Sequence, residues 1–314
     1  MNATHIQWCD YTSNPIKYRD ADGKAVWACV KVSDGCKNCY SEALAKRYGR
    51  GGPFTVGATA KVTPYFDEAE AKALLSPKRL PAGSKVFIGD MTDVFGPWVP
   101  DELLDRLFAV FALRPDVVFQ VLTKRPERMR AYLCDRPNVC ERIWNQLLAM
   151  PGEALVRRIE HATREALADP AKARAIVEAQ PGDGWIWPLP NVWAGTSVED
   201  QVRANERIGQ LLATPAAVRF LSCEPLLGPV TLDLDICDGC DTGSGVGHRP
   251  PISWVIVGGE SGPGARVCDI GWLKSIAAQC RAAGVACFFK QVSGPRPGMP
   301  AGDPDLDGLK EFPR

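Results

Sequence analysis

Ser253-Trp-Val-Ile-Val257 passes directly into Gly258-Gly-Glu-Ser-Gly262, and a helical stretch over 270–283 then leads to Ala286-Cys-Phe-Phe289 and Lys290-Gln291. An unbroken apolar run bounded by glycines reads as a strand buried on both faces. Residues 270–283 repeat apolar side chains at three- and four-residue spacing, the period of a helix with one buried face. A strand, a helix and a second strand in this order form a βαβ unit, whose two strands lie parallel.

The same unit recurs upstream. Lys85-Val-Phe-Ile-Gly89 leads to Asp90-Met-Thr-Asp93, and Val117-Val-Phe-Gln-Val-Leu122 to Thr123-Lys-Arg-Pro126. Asn191-Val-Trp-Ala-Gly195 leads to Thr196-Ser-Val-Glu199, and Val218-Arg-Phe-Leu-Ser222 to Cys223-Glu-Pro225. His5-Ile-Gln-Trp-Cys9 is the first strand of the series. Helical periodicity runs over 101–113 and 200–213, with Asp101 reading as an N-cap. Strands alternating with helices predict an α/β fold, a parallel (β/α) TIM-like barrel, partial or full, over residues 1–292. Two insertions interrupt it, a helical one at about 134–190 and a Gly/Asp-rich loop at about 233–251. Residues 293–314 read as a loose C-terminal extension. Chemistry in such folds sits on the loops that follow the strands. Asp90, Asp93, Lys124, Arg125, Ser197, Glu199, Glu224, Glu260 and Lys290 all fall there.

The chain has 37 basic and 37 acidic residues. That balance excludes a global positive field and leaves room for a local one. No basic, apolar leader stands at the start and no apolar run is long enough to span a membrane. These features predict a cytoplasmic protein without a membrane partner. Twelve cysteines in such a chain point to metal or redox chemistry before disulfides.

Three of those cysteines share one loop, Cys29-Val-Lys-Val-Ser-Asp-Gly-Cys36-Lys-Asn-Cys39-Tyr40. Tyr40-Ser-Glu-Ala-Leu-Ala-Lys-Arg47 opens a helix, so Cys39 stands at a helix N-terminus, where a thiolate is favoured. Three thiolates suit an iron–sulfur cluster with one iron left open; zinc is the rival, with Cys9 or an outside residue as fourth ligand, and a loop without metal is the third reading. Cys237-Asp-Gly-Cys240, near Asp235, Asp241 and His248, is half of a second metal site or a flexible acidic loop; Cys134 and Cys140 are the cysteines available to complete it.

In its three-cysteine loop and strand–helix order, the chain resembles the radical S-adenosylmethionine (SAM) superfamily. Its spacing is Cys-x6-Cys-x2-Cys where that superfamily's usual motif is Cys-x3-Cys-x2-Cys. A closer resemblance rests on Thr12-Ser-Asn-Pro15, Ser33-Asp-Gly-Cys-Lys-Asn-Cys-Tyr40, Leu122-Thr-Lys-Arg-Pro126, Gly195-Thr-Ser-Val-Glu199, Leu221-Ser-Cys-Glu-Pro-Leu-Leu-Gly228, Val257-Gly-Gly-Glu-Ser-Gly262 and Phe289-Lys-Gln291. These phrases are similar to a phage-associated three-Cys-motif family considered radical-SAM-like. Some of its relatives accompany enzymes that hypermodify thymine in phage DNA.

The resemblance implies a [4Fe–4S] cluster on Cys29, Cys36 and Cys39, SAM as co-substrate, and a reductase or flavodoxin-type electron donor. It implies a radical reaction of the isomerase or mutase class on a modified thymine nucleotide in DNA, in the host cytoplasm if the chain is phage-encoded. Carried over, Tyr40, Gly89, Asp90, Thr92 and Asp93 are expected around SAM. So are Lys124, Ser197, Glu199, Gly258, Gly259 and Glu260. Glu224 and Lys290 are the catalytic candidates, with Arg125 and Gln291 toward substrate. Trp98, Trp185, Trp187 and Arg157-Arg158 are expected to meet DNA. The competing reading is a zinc-dependent nucleic-acid or protein-binding module without catalysis.

Overall fold

The computed structural model describes residues 1–149, 187–234 and 252–313. Eight strands form one sheet in the order β1 (Asn2–Ala3), β2 (Tyr11–Ser13), β6 (Lys85–Ile88), β7 (Val118–Thr123), β8 (Val192–Ser197), β9 (Val218–Cys223), β10 (Ile252–Val257), β11 (Ala286–Phe289). Every pair from β2 to β11 is parallel, and β1 adds an antiparallel edge. The α/β class and the parallel sheet therefore stand. The strand ladder is open: β1 and β11 are its two ends. A second, antiparallel sheet, β4 (Ala25–Val26), β3 (Ile16–Arg19), β5 (Thr63–Phe66), was not foreseen.

Strand alternation separates two cores. Val86, Ile88, Leu221, Cys223, Val255, Val257, Cys287 and Phe289 face the helices. Phe87, Phe220, Trp254, Ile256 and Phe288 face the other way and meet Trp8 and Cys9. A flat sheet would hold β6 and β10 about 19 Å apart, four strand spacings. Yet the Trp8 indole lies 4.8 Å from the Phe87 ring and 6.2 Å from that of Trp254. The sheet is thus strongly curved around an aromatic plug. Gln120, fully buried on β7, donates to the Trp8 carbonyl at 3.2 Å and ties the Trp8 backbone to the sheet.

This plug corrects the expectation for residues 5–9. They form a turn, with Cys9 N–H donating to the Ile6 carbonyl at 3.3 Å, and their apolar side chains fill the concave face. The first parallel strand is Tyr11–Ser13 instead. The tail is also corrected, because it is docked. Leu309 and Glu311 exchange backbone bonds with Phe289 and Cys287 along the free edge of β11. Phe312 lies 5.3 Å from Trp254. Covering an open strand edge with the chain's own tail removes a template for aggregation.

The helices Asp101–Ala112, Gln201–Leu212 and Ile270–Ala283 pack on the convex face. Asp200 and Asp269 cap the latter two. Asp101 is not a cap. It is the first helical residue after Pro100, and it pairs with Arg128. Of the first insertion, the helix Arg136–Ala149 is described. No helix among the described residues is long and apolar enough to cross a membrane.

Candidate functional site

The carboxyl ends of the parallel strands converge beneath the cysteine loop, and most of them grip it. Thr92, after β6, donates to the Ala28 carbonyl at 2.7 Å. Arg125, after β7, donates to the Val30 carbonyl at 2.8 Å. Glu199, after β8, accepts the Ser33 hydroxyl. Glu260, after β10, accepts Asn38 Nδ2 at 2.9 Å. The start of the following helix closes the ring: Tyr40 and Ser41 hydroxyls donate to the Asp90 carbonyl at 2.8 and 2.6 Å.

Glu199 is the central anchor. Its side chain is fully buried, 2.9 Å from Arg207 Nη1 and 3.4 Å from Lys124 Nζ. Burial pushes this carboxyl up, but Lys124, Arg207 and the Ser33 hydroxyl outweigh burial and hold it below the usual range. Gly35 sits against this group. A Cβ there would fall 2.8 Å from Glu199 Oε1 and 3.1 Å from Lys124 Nζ, so glycine lets the loop lie this close without displacing either side chain. Glu260 behaves alike: burial raises it, while Arg266 and Asn38 bring it below the usual range.

Several residues expected around ligand are engaged inside the protein. Asp93 accepts from Thr123 Oγ1 at 2.7 Å and from Arg125 Nη1 at 2.8 Å. Arg125 also stacks 4.7 Å over Trp98, whose indole N–H donates to Tyr18 at 2.8 Å. Arg125, Asp93, Thr92 and Trp98 therefore hold the loop rather than face solvent. Gln291, 2 % exposed, donates to the Gly259 carbonyl at 3.0 Å and accepts Gly298 N–H at 2.7 Å. Gly259 is pressed against residue 293, where a Cβ would lie 2.3 Å from the backbone nitrogen. Ser197 is buried, and its carbonyl accepts from Arg207 at 2.9 Å. Trp187 packs on the core and donates to the Leu133 carbonyl at 3.3 Å. Cys237, Cys240, His248, Trp185, Arg157 and Arg158 lie outside the described residues.

Two groups remain at the mouth. Glu224, after β9, and Lys290, after β11, form an ion pair at 3.0 Å, with Gly258 flanking both. Asp90 accepts from Asn14 at 2.6 Å, and burial pushes its carboxyl up despite that bond. Gly89 donates its N–H to the Ser13 carbonyl at 3.0 Å and so ties the β6 turn to β2.

The three thiols are free and half-buried. Burial, with Asp93 adding to it, pushes Cys29 up to about 12, and Cys39 lies close enough to contribute in the same direction. A group held neutral in this way loses its proton when a cation arrives. Three half-buried thiols on one anchored loop could hold an iron–sulfur cluster or, with a further ligand, a zinc ion. Among the described residues, no three His, Cys, Asp or Glu side chains are grouped to hold a metal ion. Ser33, Asn38, Arg207 and Arg266 were not singled out from the sequence. Only Arg207, eight residues after Glu199 and so on the facing turns of the next helix, carried a local signal.

A family model described as "Protein of unknown function (DUF5131)" matches residues 3–299. No curated protein and no solved structure is a match. Because the matched span covers nearly the whole sheet and its cysteine loop, the chain belongs to the DUF5131 family.

Proposed function

We propose that this chain is a radical SAM enzyme built on a partial (β/α) barrel, with Cys29, Cys36 and Cys39 as the ligands of a [4Fe–4S] cluster. The observation that carries the reading is the placement of the cysteine loop. It lies across the carboxyl ends of the parallel strands and is anchored from β6, β7, β8 and β10. Cys29, Cys36 and Cys39 would hold the cluster, which would pass one electron from the donor to SAM and so supply the reductive cleavage of SAM. The protein's part is orientation and exclusion of water. The aromatic plug closes the concave floor below the mouth. Lys290 Nζ is placed to bind a carboxylate or phosphate, with Glu224 as the group it leaves to do so. Asp90, raised by burial, holds a proton more readily than an ordinary aspartate. Arg125 and Asp93 serve as positioning residues for the loop.

The substrate class follows the family resemblance: a hypermodified thymine nucleotide in DNA, acted on by an isomerase or mutase step, with a reductase or flavodoxin-type donor in the cytoplasm, the host's if the chain is phage-encoded. A base in duplex DNA would have to leave the stack to reach the mouth. The test is anaerobic reconstitution with iron and sulfide, then dithionite and SAM, with 5′-deoxyadenosine measured. Brown protein and 5′-deoxyadenosine are expected, and Cys36→Ala should lose both. Cleavage retained in that variant, or colourless protein with stoichiometric zinc and no SAM binding, sinks the assignment.

A further inference from the structure

We propose that residues 17–61, the segment that carries the cysteine loop, form a surface that binds a nucleic-acid strand through its phosphates and bases. This segment carries nine basic and four acidic residues in a chain of zero net charge, so its +5 is balanced by −5 elsewhere. Only Lys17 and Lys31 of the nine are spent on ion pairs, with Asp67 and Glu70 and with Glu42. The other seven are exposed and form no ion pair among the described residues. Clustered, unneutralised cations of this kind create a local field that draws a polyanion.

Three of these cations, Lys24, Arg50 and Lys61, are tied by a hydrogen bond or by chain neighbours to the walls of one concavity. Lys24 Nζ donates to the Gly49 carbonyl at 2.8 Å, which joins the β3–β4 turn to the end of the helix Tyr40–Arg47. Trp27 N–H donates to the Arg50 carbonyl at 2.7 Å. Between them lies a cavity of about 280 Å³, walled by Trp27, Gly49, Gly51, Gly52 and Val62 among others, with Asp20 as its one carboxylate. Asp20 is occupied, since its Oδ1 accepts the N–H groups of Asp22 and Lys24 at 3.1 and 2.9 Å. Arg50 and Lys61 adjoin the lining residues in sequence. Tyr48, next to Gly49 of the wall, is 65 % exposed with Arg47 5.8 Å over its ring, an unburied aromatic–cation pair of the kind on which a base stacks. Exposed cations, an exposed aromatic and a glycine-lined hollow together match single-strand recognition better than a membrane or protein contact. The hollow also adjoins the loop: Thr59, on its wall, donates to the Cys29 carbonyl at 2.9 Å.

The surface deepens the proposed function by stating where the DNA would lie, but its test is independent of the cluster. Fluorescence anisotropy with a labelled single-stranded oligonucleotide and its duplex is run on wild-type protein and on Cys36→Ala. Both proteins should bind, the single strand more tightly, with affinity falling steeply as salt rises. The triple variant Arg47→Ala/Arg50→Ala/Lys61→Ala should lower the single-strand salt slope by about two, roughly 0.7 per phosphate contact. Tyr48→Ala should weaken binding roughly tenfold with the slope unchanged. Unchanged affinity and slope in the triple variant overturn the proposal. So does equal competition by polyglutamate or by anionic phosphatidylserine vesicles. DNA binding without SAM cleavage would leave this surface standing and remove the radical reading; cleavage without DNA binding would do the reverse.

Discussion

Replacing Glu199 by glutamine tests whether one buried carboxylate holds the cysteine loop to the sheet. The substitution keeps the volume, removes the charge facing Arg207 at 2.9 Å and Lys124 at 3.4 Å, and leaves one oxygen, which serves Arg207 while the NH2 replaces the oxygen that accepted the Ser33 hydroxyl. Arg207 is 5 % exposed and cannot recover hydration; Lys124 is 20 % exposed and can turn to water. Breaking a buried pair by removing one partner costs about 3–5 kcal/mol. Glutamine still accepts one hydrogen bond from Arg207, so about 3 kcal/mol is expected. The folded carboxyl lies below its ordinary value of 4.5. A depressed acid stabilises the fold above its unfolded value and loses that contribution as pH falls through the folded one. The gap between wild type and variant should therefore be full at neutral pH and shrink on acidification below about 4.5. Urea denaturation followed by tryptophan fluorescence at several pH values measures it. Cys36 should also react faster with a thiol reagent in the variant, since its loop loses the Ser33 tether. A variant within about 0.5 kcal/mol of wild type at neutral pH, or a gap that stays constant on acidification, refutes the reasoning.

Arg125→Ala leaves Asp93 buried without its cation and the Val30 carbonyl without its donor, so a loss of about 3–5 kcal/mol is expected; a thermal melt that matches wild type would count against the anchoring role. Gly259→Ala drives a Cβ to 2.3 Å from the Ser293 nitrogen, and forced overpacking of this sort costs about 1–3 kcal/mol; equal urea midpoints would show that the β10 end is looser than described. Cys29, pushed up to about 12 by burial, should be alkylated at pH 8 far more slowly than free cysteine, as read by peptide mass mapping. Alkylation at the rate of free cysteine would show that the thiol is not buried in solution.

Much of the sheet was legible because its signal is local. Val255, Val257 and their neighbours are apolar on both faces since both faces are buried, one by helices and one by the aromatic plug. The same signal misled at residues 5–9, where Ile6, Trp8 and Cys9 are apolar because they fill the concave face rather than extend the ladder. Tyr11–Ser13, short and partly polar, carried no comparable run. The tail looked loose because prolines and glycines outnumber its apolar residues, yet Leu306 and Phe312 suffice to dock it.

At the site, the sequence alone identified the cysteine loop and the polar residue after each strand, because strand–helix alternation dictates where strands end and chemistry-bearing side chains interrupt apolar runs there. It did not sort those residues into anchors and free groups. Arg125 and Asp93 look like ligand contacts in one dimension and are bound to each other and to the loop in three. The partners of Ser33 and Asn38 stand 166 and 222 residues away. Contacts at that separation exist only once the sheet has curved, since curvature is what brings the ends of β6 to β11 under one loop. Local residue patterns encode strands, helices and thiols; the closing of distance between them is a property of the packed core.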